Sequence, residues 1–249
     1  MSSTGHLILV ERFIELSADK DFNNSFMILI QFPAILSVVI YFWKDVWPFH
    51  KDSDERAQRI VLWKKLIIAL LPAIVAGLLM ADTIDRYFFA PFPVAVALIV
   101  GGIVLIVMER VLKNTPIDTL ESIPLKVALG IGLFQCLALF PGTSRSGATI
   151  FGAMVLGLDR KTAAQFSFIL AIPTMGAAMV YELATSGLSF TGSQWGLIAA
   201  GSVVSFLTAY VAVYLFMGYI QKRSFALFGW YRIALGVTII ATLLTGVMD

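Results

Sequence analysis

The chain has 249 residues, of which 59% are hydrophobic and only 14% are charged. Soluble domains carry about 25% charged residues, so this composition excludes an ordinary soluble protein and predicts an integral membrane protein. The formal net charge of +2 is too small to indicate a nucleic-acid partner, and the single cysteine, Cys136, excludes an internal disulfide bond.

Six apolar runs along the chain approach the roughly 20 residues that a helix needs to cross a bilayer. In chain order, the runs cover residues 25–43, 62–81, 91–111, 164–183, 195–217 and 227–247. Six such runs in series predict an all-α polytopic membrane protein with six spans. We therefore interpret residues 1–249 as a single integral membrane domain.

Between the third and fourth runs lies a pair of apolar segments, residues 127–140 and 150–158, each too short to span a bilayer. A polar loop, residues 141–149 (PGTSRSGAT), separates them and contains Arg145. An arginine inside a membrane is costly and by default indicates a functional site. Hydroxyl groups and glycines around an arginine, at an expected helix N-terminus, suit a phosphate ligand.

Basic residues indicate which loops face the cytoplasm. The loop 44–65 holds six of them, whereas the loop 82–90 holds only Arg86 and the loop 184–194 holds none. On this pattern, residues 127–158 enter the membrane from the cytoplasmic side and return to it. The pattern therefore predicts a re-entrant helical hairpin, with the loop 141–149 at its tip inside the membrane.

The two halves of the chain resemble each other. Residues 25–33 (SFMILIQFP) align with residues 165–173 (QFSFILAIP), so that Pro33 matches Pro173. At nearly the same offset, residues 2–5 (SSTG) match the polar loop of the hairpin. Each half then has one polar loop followed by three spans, which predicts an inverted repeat with repeat 1 at about 1–112 and repeat 2 at about 125–249.

The repeat also indicates a missing segment. An apolar arm, residues 127–140, precedes the second polar loop, whereas only Met1 precedes the first. We therefore expect a similar arm upstream of Met1 and interpret the first hairpin as truncated.

The two polar segments resemble a known family. Residues 2–6 (SSTGH) and residues 141–149 closely resemble the motifs of the undecaprenyl-diphosphate phosphatases, the bacitracin-resistance membrane proteins, and residues 134–136 (FQC) and 166–168 (FSF) resemble their flanking segments. The resemblance implies hydrolysis of undecaprenyl diphosphate to undecaprenyl phosphate and inorganic phosphate. This reaction recycles the lipid carrier of peptidoglycan synthesis, supports cell-wall biogenesis and cell shape, and gives bacitracin resistance.

The resemblance also implies a location and partners. It places the protein in the bacterial cytoplasmic (inner) membrane, with the active site facing the outer side. The expected partners are a polyprenyl diphosphate lipid as substrate and the membrane lipids, with a homodimer left open.

On the resemblance, Ser3 is the preferred nucleophile, with His6 as its acid–base partner and a phosphohistidine as the alternative. Arg145 is expected to grip the diphosphate and to stabilise charge in the transition state. For Ser146 and Thr149, helix capping alone is the competing interpretation. The further residues expected to bind the diphosphate are Ser2, Ser144, Ser146, Gly147, Thr149 and Gln135.

The resemblance implies help from Mg2+ or Ca2+, held by a pair of glutamates that precedes the SSTGH segment in the family. That pair is absent from this chain. Glu11 and Glu15 copy its spacing but follow the segment, so we assign them to an external helix face. The residues present do not predict a cation site, and we expect this chain to bind the lipid diphosphate but to hydrolyse it poorly.

A transporter or flippase of an anionic polyprenyl phosphate lipid is the alternative function. The inverted repeat favours it, because this architecture is common among transporters and because a fold does not determine a function. The paired serine and histidine of the SSTGH segment favour the hydrolase, since a binding site has less need of them.

Overall fold

The computed structural model describes residues 2–10, 20–49, 52–112, 116–185 and 190–245, and these residues are mostly helical. Within this part of the chain there is no strand, and an isolated bridge joins Ile117 to Leu158. The helices are α1 (Ser3–Val10), α2 (Lys20–Leu29), α3 (Gln31–Tyr41), α4 (Trp43–Val46), α5 (Ser53–Phe88), α6 (Pro91–Val111), α7 (Leu125–Gln135), a 3-10 helix (Cys136–Leu139), α8 (Arg145–Val155), α9 (Arg160–Thr185), α10 (Gly192–Ile220) and α11 (Ala226–Leu244).

Five helices are long and apolar enough to cross a membrane, which confirms an all-α polytopic membrane protein. They correspond to the second to sixth of the runs expected to span. Their apolar stretches cover Ser53–Met80, Pro91–Val111, Arg160–Val180, Gly192–Ile220 and Ala226–Leu244.

The first of the six expected spans is different, because two short helices, α2 and α3, meet at Ile30. Pro33 accounts for the break, since its nitrogen has no hydrogen and its ring clashes with the carbonyl of the residue four positions earlier. The hydroxyl of Ser205 donates to the Ile30 carbonyl over 2.6 Å and satisfies it. Pro173, the matching proline of the second half, lies inside the continuous helix α9. The inverted repeat stays a prediction.

The chain forms two compact units, each with segments from both halves of the sequence. The first consists of Met1–Ile14, Ile67–Ser167 and Ile220–Asp249, and the second of Glu15–Leu66 and Phe168–Tyr219. Every residue predicted for the functional site belongs to the first unit. The interpretation as one membrane domain stays a prediction.

Aromatic side chains pack the second unit. The Phe168 ring lies 6.5 Å from Phe42 and 5.3 Å from Phe216 between ring centroids. The indole nitrogen of Trp63 donates to the Val46 carbonyl over 2.8 Å and ties α5 to the end of α4.

Close contact between α6 and α11 forms the centre of the first unit. A methyl group at Gly229 would lie 2.7 Å from the Gly102 carbonyl oxygen, and one at Gly236 would lie 2.7 Å from the Ala95 carbonyl oxygen. Small residues therefore bring the two backbones together, as is common for helices in membranes. The short helix α1 packs on both, because buried Gly5 faces Leu98 of α6 and Leu235 of α11.

The helix–loop–helix expected over residues 127–158 is present. Helix α7 and the 3-10 helix form one arm and α8 forms the other, and the two arms pack together. Gly152 of α8 faces the Phe134 ring so closely that no side chain would fit, and the Phe134 and Phe151 rings meet edge to face at 5.5 Å. The hairpin presents its loop beside α6.

Candidate functional site

The loop before α8 has an unusual backbone at two residues. Gly142 has φ +89°, and a methyl group there would lie 2.6 Å from the Val94 carbonyl oxygen of α6, so both conformation and space require glycine. Ser144 has φ +71°, which is uncommon for a residue with a side chain. Such conformations are concentrated at functional sites.

Ser144 caps the N-terminus of α8. Its hydroxyl oxygen accepts from the Gly147 backbone N–H over 3.2 Å, and its carbonyl accepts from the Ala148 N–H over 2.9 Å. The Ser146 hydroxyl lies 3.4 Å from that of Ser144. Hydroxyls and backbone N–H groups are thus concentrated at a helix terminus, where the helix dipole favours an anion.

Arg145, the first residue of α8, points toward α9. Its Nη1 donates to the Ser167 carbonyl over 3.0 Å, and this is its one hydrogen bond to the described residues. A guanidinium carries five N–H donors in a planar fork. Most of these donors are therefore left for another acceptor, such as the oxygens of a phosphate group.

Thr149 lies one turn after Arg145 on α8 and is fully buried. Its hydroxyl is 2.9 Å from the Arg145 carbonyl oxygen and 2.5 Å from the Ser167 hydroxyl of α9. These contacts join α8 to α9 and hold the backbone of Arg145 in place. Gln135 is likewise buried, in the last turn of α7. Direct binding of the diphosphate by Thr149 or Gln135 stays a prediction.

His6 of α1 is held at both ring nitrogens. Nδ1 lies 2.7 Å from the Ser2 carbonyl oxygen, and Nε2 lies 2.7 Å from the Tyr231 hydroxyl of α11. A carbonyl can only accept, so Nδ1 carries a hydrogen, and in the neutral form of the ring Nε2 is the atom that accepts the Tyr231 O–H. The two rings also stack, with centroids 5.6 Å apart.

Ser2 and Ser3 differ in exposure, since Ser2 is buried and Ser3 is exposed. Among the described residues, no hydrogen bond joins Ser3 to His6, whose nitrogens contact Ser2 and Tyr231 instead. The assignment of Ser3 as nucleophile stays a prediction.

Arg232 of α11 is a residue of this region that the sequence analysis missed. Its side chain is 1% exposed, and its Nη1 donates to the Thr143 carbonyl over 2.8 Å. Nη2 donates to the carbonyls of Gly142 and Ala97, both over 3.1 Å. An arginine inside the apolar run 227–247 was the signal that could have identified it.

Glu109 and Arg160 form a second polar contact that the sequence analysis missed. Two hydrogen bonds of 2.6 and 3.1 Å join them, and the Glu109 carboxylate also accepts the Phe225 backbone N–H over 3.0 Å. The contact ties the end of α6 to the starts of α9 and α11.

A mostly apolar cavity of about 240 Å3 adjoins the loop. It lies between α6, the 3-10 helix and α8, and Thr143, Gly147 and Arg232 line part of it. The loop's hydrogen-bond donors, which could bind a phosphate group, therefore lie next to an apolar cavity that could hold part of a hydrocarbon chain.

The described residues do not fit a divalent cation. They contain no cluster of three histidine, cysteine, aspartate or glutamate side chains. The loop supplies N–H groups, hydroxyls and a guanidinium, whereas Mg2+ and Ca2+ are usually bound through carboxylate oxygens. Glu11 and Glu15 lie outside the described residues.

Known proteins identify the family. The family described as bacitracin resistance protein BacA matches residues 1–238 of this chain. The chain belongs to the BacA family. Among BacA-family relatives, the undecaprenyl-diphosphatase of Fusobacterium nucleatum is 49% identical over 249 residues, which cover 98% of this chain and 94% of the relative.

Two further relatives agree with the BacA assignment. Undecaprenyl-diphosphatase 1 of Clostridioides difficile is 47% identical, over 97% of this chain and 89% of the relative. The undecaprenyl-diphosphatase of Limosilactobacillus fermentum is 46% identical, over 97% of this chain and 90% of the relative. The family predicted from the two polar motifs is confirmed.

Proposed function

We propose that this BacA-family protein hydrolyses undecaprenyl diphosphate to undecaprenyl phosphate and inorganic phosphate. The product returns to peptidoglycan synthesis as the lipid carrier, and its supply lowers sensitivity to bacitracin. One observation carries the proposal: consecutive residues of α11 contact both polar motifs, Tyr231 at His6 and Arg232 at the loop before Arg145. The names of the relatives support the substrate.

Arg145 is proposed to bind the terminal phosphate. Its hydrogen bond to the Ser167 carbonyl orients the guanidinium, and the other N–H groups can pair with two phosphate oxygens. The N-terminus of α8, with the hydroxyls of Ser144 and Ser146 and the N–H groups near Gly147, stabilises the negative charge beside it. In phosphoryl transfer, such positioning and charge stabilisation supply most of the catalysis.

His6 is proposed to act as acid and base through Nε2. The hydrogen bond from Nδ1 to the Ser2 carbonyl fixes the ring and leaves Nε2 as the basic atom. Ser3 lies three positions earlier, so the two side chains share one face of α1.

The proposed reaction has two steps. When substrate binds, the Tyr231 hydroxyl turns its hydrogen away from His6 Nε2 and frees the lone pair of that nitrogen. The Ser3 oxygen then bonds to the terminal phosphorus as its proton passes to His6 Nε2, and the bond from that phosphorus to the bridging oxygen breaks. Undecaprenyl phosphate leaves with the electron pair. The proton on His6 Nε2 passes to the departing undecaprenyl phosphate. In the second step a water oxygen bonds to the phosphorus of the phosphoserine as His6 Nε2 takes a proton from that water. The bond from phosphorus to the Ser3 oxygen breaks, His6 returns the proton to that oxygen, and inorganic phosphate leaves.

The setting of the site is also part of the proposal. Membership of the BacA family supports a location in the bacterial cytoplasmic membrane with the site facing the outer side. The basic residues of the loop 44–65 indicate that this loop faces the cytoplasm.

Phosphate release from undecaprenyl diphosphate by the purified chain tests the proposal. Arg145→Lys keeps the charge but loses the planar fork, and we expect a loss of about a hundredfold in kcat/KM. Ser3→Ala should lose activity to a similar extent. Arg223→Lys, an exposed arginine after α10, is the matched control and should behave as the parent protein.

Two outcomes would overturn the proposal. Phosphate release that is unchanged in both Arg145→Lys and Ser3→Ala would remove these residues from the reaction. Transfer of the lipid across vesicle membranes without any phosphate release would instead support the transporter.

A further inference from the structure

Arg232 is a buried cation whose described partners are all neutral. Its three guanidinium nitrogens donate to four backbone carbonyls, two on α6 and two on the loop before α8. Gly101 makes room for the group, because any side chain there would overlap the guanidinium. Burying a charged group is costly. The four hydrogen bonds of Arg232 therefore indicate that its guanidinium does more than fill space between helices.

The contact with the Thr143 carbonyl, at 2.8 Å, is the shortest of the four. This carbonyl belongs to the peptide group that joins Thr143 to Ser144. The angle φ of Ser144, +71°, is the torsion about its N–Cα bond, and it describes how that same peptide group is oriented relative to the rest of Ser144. Arg232 therefore holds the peptide plane that defines the uncommon conformation of the α8 cap.

The charge of Arg232 also bears on the loop. A methyl group at Gly147 would lie 3.3 Å from Arg232 Nη1, so the guanidinium sits directly beneath the first turn of α8. Since its described acceptors are neutral carbonyls, they do not cancel the positive charge. In a low-dielectric setting, such a charge attracts an anion at the helix terminus more strongly than it would in water.

We infer that Arg232 is a positioning residue for the diphosphate site. It clamps the Gly142 and Thr143 carbonyls against α6, and so holds the Ser144 cap, the α8 N–H groups and Arg145 in the arrangement that binds the diphosphate. The inference rests on the proposed function for its reaction, but the binding of the anion can be measured separately.

Two substitutions test the clamp. Arg232→Lys keeps a positive charge but cannot reach carbonyls on both elements, because an ammonium is a point donor. Gly101→Ala keeps the arginine and displaces it from α6. We expect each to lower kcat for undecaprenyl diphosphate about a hundredfold and to weaken binding of inorganic pyrophosphate, followed by calorimetry, at least tenfold.

Ile239→Ala is the matched control, because Ile239 is a fully buried residue of α11 that packs against Val94, Ala95 and Leu98 of α6. It should lower thermal stability while leaving kcat and pyrophosphate binding within twofold of the parent protein. The same loss of kcat and pyrophosphate affinity in Ile239→Ala would overturn the inference, since any disturbance of α11 would then suffice.

Unchanged pyrophosphate binding in both Arg232→Lys and Gly101→Ala would also overturn the inference. A failure of the proposed function gives a different result. The parent chain would then bind pyrophosphate with an affinity that depends on Arg232, yet release no phosphate from the lipid.

Discussion

Tyr231 and His6 are 225 positions apart in the sequence, yet the tyrosine hydroxyl lies 2.7 Å from His6 Nε2 and the two rings stack. The next residue of α11, Arg232, points about 100° further around the helix and reaches the loop before α8. A single turn of one helix thus contacts both polar motifs.

Tyr231→Phe removes the hydroxyl and keeps the stacked ring. Because one hydrogen bond to His6 is lost, we expect kcat/KM for phosphate release to fall about threefold to tenfold. Tyr231→Ala, which also removes the ring, should fall further. Tyr214→Phe, on the exposed side of α10, is the control. Activity equal to that of the parent protein in both Tyr231 variants would exclude a role in orienting His6.

Gly142→Ala should damage the loop. Its φ of +89° is unfavourable for alanine, and the added methyl group would press on the Val94 carbonyl. We expect a loss of about 2 kcal/mol in the free energy of unfolding and a large loss of activity. Gly218→Ala of α10, which meets no atom within 4 Å, should be neutral or stabilising. Equal stability of the two variants in detergent would contradict the prediction.

Thr149 and Ser167 should show coupled stability. Each hydroxyl is buried against the other, so Thr149→Val and Ser167→Ala should each cost about 1–2 kcal/mol, because each leaves a polar group with fewer partners. The double variant should cost less than the two single variants added together, by about 1 kcal/mol. A double-mutant cycle on reversible unfolding measures this coupling, and strict additivity would show that the hydrogen bond contributes nothing.

Labelling of single cysteines tests the orientation in the membrane. In a Cys136→Ala background, Ser193→Cys lies in the exposed first turn of α10, and Ser53→Cys lies at the exposed start of α5. We expect a membrane-impermeant maleimide to label Ser193→Cys in intact bacteria and Ser53→Cys only after permeabilisation. The reverse pattern would invert the proposed topology.

The sequence was sufficient to predict the features that depend on neighbouring residues. The apolar runs predicted five of the long helices, and the polar loop 141–149 predicted the N-terminus of α8. The break at Ile30 was missed although Pro33 was noted, because Pro173 sits inside a continuous helix and the sequence does not distinguish the two cases.

The partners of Arg232 could not be predicted for a different reason. They are backbone carbonyls 89, 90, 134 and 135 positions away, and every residue has such a carbonyl. Only the packing of α11 on α6 determines which of them come within reach. The same holds for Tyr231, whose hydroxyl contacts His6, 225 positions away in the sequence.

The glycines that bring α6 and α11 together set the gap between the two helices, and Arg232 lies three residues after Gly229 on α11. With the backbones in contact at Gly102 and Gly229, the Arg232 guanidinium reaches carbonyls of both α6 and the loop. A methyl group at either glycine would widen the gap by pushing the helices apart. The contact between the two helices therefore helps to position the Arg232 guanidinium against α6 and the loop. Gly102 and Gly229 thus affect the polar loop although neither has a side chain that could contact it.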